Sequence, residues 1–204
     1  MNYFEVFGLA RRLEIDGAEL QRRFYELSRR HHPDFHHGAS PDAQAEALEA
    51  SARLNAAYRA LRDPIARIEY LVRLEEGRET REGAEGADVK PQAPPELLAE
   101  MFEIQESLAE AQAEARSGTL DEATRETLLT QRERLRERRS DEETRLVNPL
   151  SRAWDAAAGA AERAAALRAF KEALATRAYL RTVIADLGEA LDEEQGEHVA
   201  HHRH

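Results

Sequence analysis

Apolar residues recur along this chain at helical rather than alternating spacing. Leu20, Phe24 and Leu27 stand at i, i+4 and i+7 behind Asp16 and Glu19, which form a capping-box-like start, and together they predict an amphipathic helix. Ser40 before Pro41 is a second start with proline at the first helical position, leading to Leu48, Leu54, Tyr58 and Leu61. Asp63-Pro64 repeats the device ahead of Ile65, Ile68, Leu71 and Val72, and Phe4, Phe7 and Leu9 upstream need burial with them. The loop over 31–40 is short, so it makes the two longer helices antiparallel neighbours.

After Leu74 the apolar pattern stops. Residues 75–95 are rich in Gly, Glu and Pro and read as a linker. Helical spacing resumes with Leu97, Met101, Ile104 and Leu108, and Leu98 and Phe102 widen the apolar surface beyond one core-facing line. Thr119 and Glu122 predict the start of the next helix, and Asn148-Pro149 should interrupt or kink whichever helix passes there. An Ala-rich segment ends in Leu180, Ile184, Leu187 and Leu191, again at helical spacing. The organisation expected is a first unit over 1–74, a linker over 75–95, a three-helix bundle over 96–194 and a polar tail over 195–204.

Composition strengthens the helical reading. Ala, Glu, Arg and Leu dominate and β-branched residues are scarce, so propensity favours helix nearly everywhere and an all-α fold is expected. No cysteine is present, which removes disulfides, thiolate catalysis and thiol-held metal from the chain itself; a cytoplasmic home fits. No signal or transit peptide is visible at the start, and no window is apolar for long enough to span a bilayer. Residues 1–74 hold 11 Arg against 11 Asp+Glu, while 75–204 hold 18 Lys+Arg against 29 acids. The acidic second half argues against general nucleic-acid binding, which needs the opposite sign.

The connection between the paired helices contains His32-Pro33-Asp34, and the helix before it carries Arg22, Arg23, Arg29 and Arg30. Proline fixes its own φ and pushes His32 out of the helical region, so an imidazole and a carboxylate are displayed from a defined turn. The arginines add a positive field that steers and orients an acidic partner surface. The bland alternative is that His32 and Asp34 cap helix ends and the arginines form a solvated face; the joint occurrence, in this position, favours a functional constellation.

Tyr3-Phe4-Glu5-Val6-Phe7-Gly8-Leu9, Arg23-Phe24, His32-Pro33-Asp34, Leu54-Asn55-Ala56-Ala57-Tyr58 and Leu61-Arg62-Asp63-Pro64-Ile65-Ala66-Arg67-Ile68-Glu69-Tyr70-Leu71 together resemble the J-domain of HscB proteins over residues 1–74. The Asp-Pro-x-x-Arg-x-x-Tyr-Leu ending is the more particular part; active J-domains in general share His-Pro-Asp. The resemblance implies an N-terminal J-domain, an antiparallel helical hairpin with short flanking helices, linked to a C-terminal three-helix bundle. It implies a co-chaperone, not an enzyme and without cofactor or metal, that uses Arg22, Arg23, Arg29, Arg30 and His32-Pro33-Asp34 to stimulate the ATPase of a DnaK-like, HscA-type chaperone. It further implies that the bundle holds an IscU-type iron-sulfur scaffold through Leu98, Ala99, Phe102, Glu103, Glu106, Glu110 and Tyr179, promoting cluster assembly or transfer. Two departures stand out: Ala99 replaces a usually larger apolar residue, and the stretch 140–176 is longer than the family pattern.

Neither the histidines at 31, 32, 36 and 37 nor those at 198, 201, 202 and 204 make a convincing helical i, i+4 pair with a third ligand; closely spaced loop histidines are usually not metal sites, and the terminal group reads as tail composition. The run Arg132 to Arg139 interleaves glutamates at pairing distance and reads as a solvated face. Three functional classes remain: the iron-sulfur co-chaperone, a J-domain co-chaperone with a different client, and a helical scaffold with an inert His-Pro-Asp.

Overall fold

A computed structural model of the chain describes residues 1–31, 40–78, 98–117 and 121–201. Every regular element among them is helical: α1 (Tyr3–Val6), α2 (Gly17–Arg30), α3 (Pro41–Arg62), α4 (Pro64–Glu75), α5 (Leu98–Ser117), α6 (Glu122–Arg145), a π turn (Leu146–Leu150), α7 (Ser151–Ala156) and α8 (Ala160–His201). The chain divides into two compact units, Met1–Ala84 with Leu146–Phe170, and Glu85–Arg145 with Lys171–His204.

Polar side chains set the helix starts in the first unit. The Asn2 side chain accepts the Glu5 N–H while the Glu5 carboxylate accepts the Asn2 N–H, a complete capping box for α1. Asp16 accepts from Ala18 and Glu19 at the head of α2, but the reciprocal half expected there is not made: the Glu19 carboxylate turns to Arg22 and Arg23 instead. Ser40 and Asp63 cap α3 and α4, each with proline in the first turn. Asp63 also closes α3, so one residue ends one helix and begins the next. Gly77, at φ +68°, ends α4 with the paired bonds Arg78 N–H to Arg73 O and Gly77 N–H to Leu74 O, a turn that a side chain would strain.

The core of this unit joins Phe4, Phe7, Leu13 and Leu20 to Leu54, Leu61, Ile68 and Leu71. The rings of Phe24 and Tyr58 stack at 4.2 Å and bring the middle of α2 against the later part of α3; Leu27 and Leu54 line one groove. Going back along α2 thus means going forward along α3, as antiparallel neighbours require. Leu48 corrects one expectation: it is 63% exposed, whereas Ala47 is buried with Leu54, Ala57 and Leu61. Spacings of seven, ten and fourteen from Ala47 keep to one helical stripe, and Leu48 lies about 100° off it.

Residues 146–170 also differ from the expected division, since they group with the first unit rather than with the bundle. Pro149 has no N–H and cannot continue the i→i−4 ladder; the helix passes it through one π turn, and the Ser151 hydroxyl donates to the buried Leu146 carbonyl at 2.7 Å. The chain therefore widens at Pro149 rather than stopping. Leu146, Trp154 and Phe170 are all buried, with the last two rings tilted at 6.4 Å.

The second unit is built from three helical segments. Ile104, Leu108 and Ala111 of α5, Leu128 and Leu135 of α6, and Tyr179, Leu180, Val183, Ile184, Leu187 and Leu191 of α8 form its core. Gln131 donates to the Ser107 hydroxyl between α5 and α6. Leu135 is the apolar member of the charged run, within which Arg136 pairs with Glu133 as expected; Glu143, beyond the run, takes Arg139 and, from α8, Arg177 at 2.9 Å. The expected cap at Thr119 and most of the expected linker lie outside the described residues. Helix α8 runs to His201, further than the expected end near Glu194.

Candidate functional site

The Asp63-Pro64-x-x-Arg67-x-x-Tyr70-Leu71 pattern is resolved into contacts. Arg67 is buried, donates from Nε to the Leu61 carbonyl at 2.7 Å, and reaches the Leu13 carbonyl with Nη1. Burial pulls its guanidinium below the usual arginine range, while Asp63 and Asp155 act in the opposite direction. The Tyr70 hydroxyl accepts the Tyr3 N–H at 2.8 Å, and the two rings stack at 4.4 Å. The pattern ties the start of the chain and the connection before α2 to α4, which makes it an architectural device.

On α2 the residues Arg22, Tyr25, Glu26 and Arg29 stand at i, i+3, i+4 and i+7 and share one exposed face. Arg22 forks between Glu19 and Glu26 at 2.6–2.9 Å, with its side chain 58% exposed. Such exposed pairs are screened by solvent and contribute little, so a partner carboxylate can recruit Arg22 at small cost. Arg23 is placed otherwise: its guanidinium donates to the Phe7 and Gly8 carbonyls and to Glu19, and holds the turn after α1. Gly8 sits at φ +62° beside it, a backbone state open to glycine. Arg23 and then Arg22 hold the Glu19 carboxyl below its usual range. Arg29 and Arg30 form the exposed last turn, where cations also suit the helix dipole.

His32, Pro33 and Asp34 lie outside the described residues; the chain enters that stretch from His31, the C-cap of α2, and leaves it at Ser40, the N-cap of α3. Tyr25, 59% exposed amid the arginines, was missed by sequence reasoning although its i+3 spacing from Arg22 could have shown it.

On α5, Phe102 is 70% exposed, and Glu103, Glu106 and Glu110 are exposed as well. At ~100° per residue these four share an arc with positions 98 and 99, opposite Ile104, Leu108 and Ala111. Phe102 is therefore not a core residue. Tyr179 corrects the set: it is 8% exposed and belongs to the core of the second unit, so its ring packs inward instead of joining an exposed face. Among the described residues no group of three or more His, Asp or Glu converges as metal ligands, and no helix is long and apolar enough to cross a membrane.

The DnaJ domain family matches residues 2–70. A co-chaperone protein HscB homolog of Vibrio cholerae serotype O1 is 38% identical over 109 residues, 53% of this chain and 60% of that one. The corresponding protein of Vibrio campbellii is 37% identical over 108 residues, 53% of this chain and 60% of its own. These matches span about three fifths of the length of either relative. Among solved structures, chaperone HscB from Vibrio cholerae superposes with a TM-score of 0.51 at 27% identity, covering 92% of this chain and 99% of that one. Helical hairpin, clasped Asp-Pro-x-x-Arg-x-x-Tyr-Leu ending and these likenesses converge: residues 2–70 are a J-domain, and the chain is similar to the HscB co-chaperones.

Proposed function

We propose that this chain is a co-chaperone that stimulates the ATPase of a DnaK-like, HscA-type chaperone and carries to it an IscU-type iron-sulfur scaffold. The observation that supports the first half is the hairpin. Phe24 on Tyr58 keeps α2 and α3 side by side, so the exposed Arg22, Tyr25, Arg29 and Arg30 lead into the connection that contains His32-Pro33-Asp34. Hydrolysis takes place on the partner. This chain contributes differential binding, selecting the partner conformation in which the barrier is lower. Arg23 serves the hairpin from behind, by holding the turn after α1.

The second half rests on α5, where one solvent-facing aromatic is rimmed by Glu103, Glu106 and Glu110. A large apolar anchor surrounded by charge is the arrangement that concentrates binding energy in protein interfaces. Leu98 and Ala99 extend this arc by position.

Two measurements test the reading. Asp34→Asn should abolish stimulation of a purified HscA-type ATPase with the fold intact by circular dichroism; equal stimulation by variant and wild type removes the trigger. Phe102→Ala should weaken scaffold binding by roughly 30-fold or more, the loss expected of a hot-spot aromatic. Undiminished scaffold affinity, with ATPase stimulation retained, favours a J-domain co-chaperone with a different client.

A further inference from the structure

The connection from Phe7 to Asp16 has no helix or strand of its own, yet it sets where α2 begins. Two side chains from distant parts of the sequence hold its middle. Arg67 of α4 takes the Leu13 carbonyl. Asp155 of α7 takes the other side of the same residue: its Oδ1 accepts the Leu13 N–H at 2.8 Å, and its Oδ2 accepts the Glu14 N–H at 2.9 Å. The Asp155 side chain is only 5% exposed, and Arg12 approaches it at 3.8 Å. Next to it, the buried Trp154 donates its indole N–H to the Arg11 carbonyl at 3.3 Å. Four consecutive residues, 11–14, are thereby read through their main chain or charge by one Trp-Asp pair, which belongs to the same compact unit.

We infer that Trp154-Asp155 is a built-in clamp and that Asp155 is a positioning residue for α2. A buried carboxylate receiving two main-chain N–H groups is a strong, directional contact, and it brings an anion toward the buried Arg67 charge. The clamp fixes Leu13 and Glu14, Asp16 caps α2 two residues later, and the orientation of Arg22, Tyr25 and Arg29 follows from that start. The partner-docking unit therefore extends beyond residues 2–70 to include 151–156. This inference rests on the proposed chaperone-docking role of α2, but the clamp itself is observable without it.

The test uses full-length Asp155→Asn, in which the replaced oxygen becomes a donor facing a main-chain N–H and the negative charge is lost. Site-resolved amide exchange should speed up by roughly tenfold or more at whichever of Leu13 and Glu14 loses its acceptor, and by less at the other, whose bond is no longer charge-assisted, while Ile68 and Leu71 keep their protection. The concentration giving half-maximal stimulation of the HscA-type ATPase should rise several-fold at an unchanged plateau, because the trigger residues are untouched. Loss of active protein alone would also loosen Ile68 and Leu71. Trp154→Phe, which keeps a ring but loses the indole donor, should move both readings the same way by a smaller factor and serves if the first variant does not fold. Unchanged exchange at Leu13 and Glu14 overturns the clamp. Faster exchange there with an unchanged half-maximal concentration overturns the positioning role, as does failure of both variants to fold. Absence of stimulation by the wild-type chain would sink the chaperone reading instead, with the exchange data still deciding the clamp.

Discussion

Arg67 carries a full charge into the interior and meets it with two main-chain carbonyls and the fields of Asp63 and Asp155. Removing it leaves the Leu61 and Leu13 carbonyls without this donor and takes a positive charge from the field around Asp63 and Asp155. Arg67→Ala should cost about 3–5 kcal/mol, the range for breaking a buried charged contact. Tyr70→Phe keeps the stack on Tyr3 and loses the acceptor of the Tyr3 N–H, so about 1 kcal/mol is expected for that bond. Denaturant unfolding of both checks the order; equal losses would show that the guanidinium does little. Glu19 gives a pH signature. Its folded carboxyl is held low by Arg23 first and Arg22 second, so its contribution is present at neutral pH and disappears as pH falls through that lowered value. Wild type should be the more stable at neutral pH, and its melting temperature should converge with that of Glu19→Gln on acidification. A gap that persists in acid would assign the difference to packing.

At the scale of elements, caps were the most readable part of the sequence. Ser40-Pro41 and Asp63-Pro64 mark helix starts because a short acceptor followed by a φ-locked residue satisfies the first turn locally, with no help from tertiary structure. Stripes were less readable where a small residue does the packing: Ala47 takes the place that hydrophobicity alone gives to Leu48. The face of α5 shows the same ambiguity resolved the other way, with Phe102 outward and Ile104 inward. Because it is exposed, Phe102→Ala should leave stability within about 0.5 kcal/mol while weakening partner binding. A thermal melt settles the first part, and a loss of several kcal/mol would return the ring to the core.

Across the whole chain, the helical class and the two paired helices were legible because spacing and propensity agree throughout. The candidate sites were legible in part. The arginines and acids lie where their spacing puts them, but two of the residues singled out turned inward. Arg23 is spent on main-chain carbonyls, and Tyr179 on the core, roles that depend on partners remote in sequence. The same limit hid the pairing of 151–156 with 11–14, since a contact across 142 residues leaves no local pattern.

Pro149 gives the chain one surplus residue in its turn, and that surplus acts as a phase shifter. The side chains of α7 are rotated by about 100° from the places that an uninterrupted α-helix starting at Leu146 would give them. Deleting Asn148 would let the helix close regularly, keeping every apolar side chain of α7 and changing only its heading. Trp154 and Asp155 would then be turned by about 100° relative to Leu146, which is buried in the same unit, and would lose their aim at Arg11 and Leu13. The outcome expected is an intact helix content with a lower unfolding temperature for the amino-terminal unit and solvent-exposed tryptophan fluorescence; an unshifted emission maximum would mean that the phase is set elsewhere.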